Sequence, residues 1–216
     1  QNGYIYLMGD DATQILITDT LFKLKDSISI FTAAEKRIAK DEKADIEAIA
    51  LISRNKTSLL LTLGSGSLST NRDSCILSDT LTKEQKHYSL SLFYSRLRSA
   101  GIRDLNIEGV TSLPFGIGLV SRGNKIFPRN ILIITEDKFW ENQGTANFKM
   151  IKIGANSDTS SFNGISGMDY SNRTDQLLLT VSTEDTHNSY DDGAIGKSYL
   201  WIINKIKNKK ELEGIN

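Results

Sequence analysis

Carboxylates in tight turns and at strand starts are the residues of this chain best suited to chemistry. They are Asp10-Asp11 after Gly9, Glu47, Glu108, Glu184-Asp185, Asp191-Asp192 before Gly193, and Glu213 near the C-terminus. Gathered in one concavity, such groups repel each other unless a cation or basic side chains neutralise them. Oxygen ligands without thiolate or imidazole select Ca²⁺ or Mg²⁺ over zinc, and the chain offers only Cys75, His87 and His187 as softer donors. Asp10, Asp11, Glu184 and Asp185 are therefore candidate metal ligands, with Ca²⁺ the expected ion. Glu47 and Glu108 are candidate general bases, and Arg72 or Arg122 a candidate to steady a leaving anion. Ser65, Ser67, Arg122, Arg129, Asp191 and Asp192 are candidate ligand-binding residues. The arginines, with Lys43, can pair with carboxylates or hold an anionic ligand, while the stretch from Glu184 to Gly193 is long, acidic and glycine-punctuated, as a binding loop would be. A plainer reading stands beside each: Glu at a strand start and Asp in a turn also satisfy backbone amides, with no ligand involved.

The elements that would position these residues come from a repeat. Ala44-Asp45-Ile46-Glu47-Ala48-Ile49 is rewritten as Asn106-Ile107-Glu108-Gly109-Val110, as Gly164-Ile165-Ser166-Gly167-Met168, and as Leu212-Glu213-Gly214-Ile215. Each copy runs aliphatic, polar, small, aliphatic. That alternation is a strand's, and the small third residue suits a place where strand backbones approach closely. The copies recur at intervals of about 50 to 60 residues, longer than the roughly 40 to 50 of familiar propeller repeats, so long loops are expected.

Before and between the copies lie further strands: Thr13–Thr18, Ser27–Phe31, Ser58–Leu63, Cys75–Leu77, Tyr88–Tyr94, Gly116–Val120, Ile131–Ile134, Phe148–Ile153, Gln176–Val181 and Tyr199–Ile203. Residues 33–43 are charge-rich and predict a short helix or a solvated connector. Units of about four strands at this spacing predict an all-β fold, a single β-propeller domain of four to five blades over residues 1–216, since radial repetition protects many short strand edges. A jelly roll or open sandwich is the alternative. Tyr4–Met8 reads as a second strand lacking a first, and Leu212–Asn216 as a first strand lacking a second, so the two are expected to pair and close the ring. In a propeller the start of each first strand and the end of each second share a face. Glu47, Glu108 and Glu213 should therefore meet the turns at Asp10, Ser65, Arg122 and Glu184 around one channel mouth.

Composition narrows the classes. Lys plus Arg and Asp plus Glu each number 26, giving zero formal net charge, and no basic stripe marks a nucleic-acid binder. No apolar run is long enough for a membrane-spanning helix. One cysteine rules out an internal disulfide framework. Gly193-Ala194-Ile195-Gly196-Lys197-Ser198 ends like a phosphate-binding loop but lacks the leading glycine and predicts a strand after it. Gly64-Ser65-Gly66-Ser67 resembles a phosphate cradle without the helix that would follow. His187 beside Asp185 lacks a nucleophile elbow.

The ordered set Gly9-Asp10-Asp11, Asp45-Ile46-Glu47-Ala48, Gly64-Ser65-Gly66-Ser67 with Arg72, Pro128-Arg129-Asn130, Gly164-Ile165-Ser166-Gly167 and Ser182-Thr183-Glu184-Asp185-Thr186 followed by Asp191-Asp192-Gly193 resembles an uncharacterised family of bacterial propeller-like proteins. That family is similar, more remotely, to the esterase-like phytase propellers. The resemblance implies a propeller with a metal-assisted phosphoester or ester site. Two functional expectations result: a propeller that binds a divalent metal, a small molecule or an anionic ligand at an acidic mouth, or a Ca²⁺-dependent hydrolase of phosphate or carboxylic esters.

Overall fold

Apolar–polar alternation resolves into strands that pair only with their chain neighbours, in a computed structural model describing residues 3–32, 37–54, 57–68, 71–154, 162–189 and 193–208. The first sheet is β1 (Tyr4–Leu7), β2 (Gln14–Asp19) and β3 (Leu24–Ser29). The second is β4 (Ile46–Arg54), β5 (Thr57–Gly64), β6 (Ser74–Asp79) and β7 (Gln85–Ser89), followed by helix α1 (Ser91–Ser99). The third is β8 (Ile107–Leu113), β9 (Gly116–Ser121), β10 (Asn130–Thr135) and β11 (Phe148–Ile153). The fourth is β12 (Asn163–Ser171), β13 (Gln176–Glu184) and β14 (Ile195–Asn204). Every pairing is antiparallel and each sheet is a meander. The fold is all-β, as expected. The strand proposed at Leu212–Asn216, and its pairing with β1, lie outside the described residues.

The sheets stack face to face in chain order. Ile15, Ile17 and Ile28 of the first pack on Leu60 and Ile76 of the second. Leu61, Leu63 and Cys75 of the second, with α1, pack on Val110, Leu119 and Ile133 of the third. Val120 and Leu132 of the third pack on Leu179 and Val181 of the fourth. Each such side chain contributes about 1.5–3 kcal/mol by leaving water. Cys75 is wholly buried, and burial raises its thiol pKa far above the ordinary value.

The repeated motif is a bulge. Ile46 opposes Gly64 and Ala48 opposes Leu63, leaving Glu47 as the extra residue. Ile107 opposes Ser121 and Gly109 opposes Val120, leaving Glu108. Ile165 opposes Val181 and Gly167 opposes Thr180, leaving Ser166. A bulge at the same position of β4, β8 and β12 re-aims the polar side chain and tightens the local twist. These three strands lie side by side, β4 along β8 and β8 along β12. A Cβ on Gly109 would come within 2.9 Å of the Met168 amide nitrogen, so the small third residue is what lets β8 and β12 approach.

Two local expectations are corrected. Tyr88–Tyr94 is not one strand: β7 ends at Ser89 and α1 begins at Ser91. The polar–apolar alternation of Ser89-Leu90-Ser91-Leu92 imitates a strand, yet Leu90, Phe93, Tyr94 and Leu97 share a helical face and are all buried, while Leu92 is 54% exposed. Phe93 stacks on Phe139 with ring centroids 4.7 Å apart, and the Tyr94 hydroxyl donates to the Gly64 carbonyl at 2.8 Å. The third strand of the first sheet begins three residues before Ser27, at Leu24, and ends at Ser29. Of residues 33–43, those described (37–43) form turns and one bridge, Ala12 to Arg37, not a helix.

Candidate functional site

Backbone bonds join the start of one sheet to the preceding sheet. The Ile46 amide donates to the Asp10 carbonyl and the Ile107 amide to the Ser65 carbonyl; the Ile165 amide donates to Asn130 Oδ1 at 3.1 Å. The bulged glutamates thus open beside the turns that follow β1 and β5 of the preceding sheets. Between them is a polar cavity of about 290 Å³ whose wall includes Asp10, Asp45, Glu47, Glu108 and Glu184 with Lys40, Lys43, Arg72 and Arg122.

Two networks neutralise most of these carboxylates. In the first, Asp45 sits at φ +53°, a left-handed conformation that aspartate tolerates better than most residues. Its carboxylate accepts from Arg72 at 2.7 Å, Lys43 at 2.7 Å and the Ser65 hydroxyl at 2.6 Å. Lys43 also bonds Asp10. Burial opposes charge on both Asp10 and Lys43, but their mutual bond outweighs it, holding the Asp10 carboxyl below its ordinary value and the Lys43 ammonium above. In the second network, Arg122 bonds Glu184 at 2.6 Å and lies 3.6 Å from Glu108. Glu108 also accepts from Asn106 at 2.8 Å, and Glu184 from the Gly193 amide at 2.9 Å. The Arg122 side chain lies over Gly164, where a Cβ would fall on its Nε.

Glu47 stands between the networks. Among the described residues its carboxyl receives no hydrogen bond. Burial, reinforced by the Glu108, Asp45 and Asp10 carboxylates, pushes it well above the ordinary carboxylate range. Burial also raises Glu108, with Arg122 pulling it back down. Asp10, Asp45 and Glu47 are close enough that they could hold a metal ion, one oxygen of each lying within 4.8 Å of the others.

The remaining candidates fall elsewhere. Ser65 and Ser67 stand behind Asp45, their hydroxyls 3.0 Å apart, with Ser67 accepting from Arg72 at 2.7 Å. Asp11 pairs with Arg37 at 2.5 Å and Asp185 with Lys125; neither is on the cavity wall. Arg129 lines a neighbouring groove. Asp191, Asp192 and Glu213 lie outside the described residues. Sequence reasoning passed over Asp45 as a ligand, although it directly precedes the repeated motif. It also passed over Asn106, which precedes the same motif in the next copy.

The chain belongs to a family of unknown function, DUF6929. That family's model matches residues 1–216, so all four sheets and the cavity lie within the matched span. No curated protein matches the chain.

Proposed function

We propose that this protein is a β-propeller-like domain whose sheets are blades around an acidic mouth, and that the mouth binds Ca²⁺ through Asp10, Asp45 and Glu47. The radial reading is supported by the chain-order stacking of the sheets and by β4, β8 and β12 lying side by side, bulged at one shared position. The observation that carries the metal reading is the spacing of the three carboxylates. Two oxygens on one Ca²⁺ at about 2.4 Å each can lie no more than about 4.8 Å apart, which the three satisfy. Glu47 brings a carboxyl with no competing partner. Binding would displace its proton and move the Lys43 ammonium off Asp10 and Asp45. Oxygen-only donors with irregular spacing suit Ca²⁺ better than the stricter octahedron of Mg²⁺. The test is calorimetric titration of the EDTA-stripped protein with CaCl₂: one site lost in Asp45→Asn supports the reading, and absence of binding to the wild type overturns it.

A second reading, a Ca²⁺-dependent hydrolase of phosphate or carboxylic esters, rests on Glu108. A carboxyl raised by burial and facing a guanidinium is the kind of group that serves as a general base, with Arg122 beside it to hold an anion. Turnover of p-nitrophenyl phosphate or acetate, lost in Glu108→Gln, would support it; Ca²⁺ binding without turnover would leave the first reading alone.

A further inference from the structure

Arg122 and Gly123 are shared by two concavities: the acidic cavity and a groove of about 610 Å³ on their other side. That volume lies within the roughly 300–1,000 Å³ of ordinary ligand pockets. The groove is bounded by the turn after α1, by the loop between β9 and β10, and by the ends of β10 and β11.

Its floor is apolar. Ile126 and Phe127, 59% and 36% exposed, continue into Ile131 and Met150, which rest on the core between the second and third sheets. Its rim is cationic. Arg103, Arg129 and Lys152 are all exposed, and among the described residues no hydrogen bond or ion pair engages their side chains. Among the described residues the one carboxylate on the wall, Asp104, accepts from Asn124 through one oxygen and Ser189 through the other. The Arg122 guanidinium is committed to Glu184 on the acidic side. Three cations therefore face an apolar floor with one carboxylate, already hydrogen-bonded, to offset them.

We propose that this groove is a second binding site, for a phosphate monoester carrying an apolar group. A monoester brings a charge of about −1.5 to −2 and three acceptor oxygens, a closer match to three cations than a single carboxylate. Two guanidiniums can each take a phosphate in bidentate fashion. The apolar group covers Ile126, Phe127 and Met150, and inorganic phosphate alone would leave that surface in water. The site is independent of metal at the mouth.

The experiment is calorimetric titration of the full chain with n-decyl phosphate below its micelle concentration, alongside n-decanol and inorganic phosphate. One site is expected, at least about tenfold tighter for decyl phosphate than for either fragment, as loss of charge-assisted hydrogen bonds implies. Arg103→Ala/Arg129→Ala should weaken it about tenfold or more with the melting temperature unchanged, and Ile126→Ser should weaken it less. Glu47→Gln should bind as the wild type does. Equal affinity for a fragment, an unaffected double variant, or binding abolished by Glu47→Gln would each overturn the proposal.

Discussion

Arg72 donates to the Asp45 carboxylate at 2.7 Å with 3% and 7% of the two side chains exposed, and this pair fixes the turn from which β4 starts. A buried pair is expensive to break from one side, and loss of Arg72 would leave the Asp45 carboxylate only Lys43 and Ser65. Arg72→Met should cost about 1.5–3 kcal/mol in urea unfolding, and Arg72→Met/Asp45→Asn, which keeps a residue suited to the left-handed backbone, should recover part of that loss. A single-variant cost below about 1 kcal/mol would mean the pair is solvated.

Glu47 sets a pH dependence of unusual sign. Its folded pKa lies above the ordinary 4.5, so the folded state keeps a proton that the unfolded state releases. The stabilisation is complete below that ordinary value and declines as pH rises through the folded one. Asp10 and Asp185 shift the other way, and their effect is confined to acid. Melting temperatures of the metal-free protein between about pH 5 and pH 9 should fall with rising pH, and Glu47→Gln should flatten that slope. A wild-type curve rising across this range would contradict the assignment.

Ca²⁺ at the mouth should release protons, because a ligand carboxyl must ionise to coordinate. Titrations near pH 7 in two buffers of different ionisation enthalpy should therefore give different apparent enthalpies for the wild type, and closer ones for Glu47→Gln. Lys43→Met, which removes the competing ammonium, should tighten Ca²⁺ binding. Weaker binding would show that Lys43 supports the site.

Gly109→Ala places a methyl group against the Met168 backbone and Val120. Overpacking of this kind costs about 1–3 kcal/mol, and the loss should appear as a lower melting temperature. Gly101→Ala is the contrast: a Cβ there meets nothing within 4 Å, and only its φ of +117° opposes the change.

In the first and fourth sheets the strands were legible because one face packs on a neighbour and the period of two survives in Gln14–Asp19 and Gln176–Val181; the second and third sheets are packed on both faces, and their strands read as apolar runs such as Ile131–Ile134. The repeat marks β4, β8 and β12 but not their bulges: an aliphatic–Glu–small triplet reads the same in a regular ladder. Helix α1 was hidden by two serines that imitate alternation. Asp45 escaped notice because its role depends on a left-handed backbone and on Arg72, 27 residues away. Arg129 follows the same turn as Arg122 in sequence, but Arg122 lines both concavities while Arg129 lines only the neighbouring groove.

Cys75 gives this molecule a built-in reporter. Its sulfur is sealed between the second and third sheets and resists ionisation, so a thiol-reactive dye should label it only when those layers part. With no other cysteine in the chain, the labelling rate reads the opening of that one interface, and comparing it with global unfolding would tell whether the layers separate singly or together.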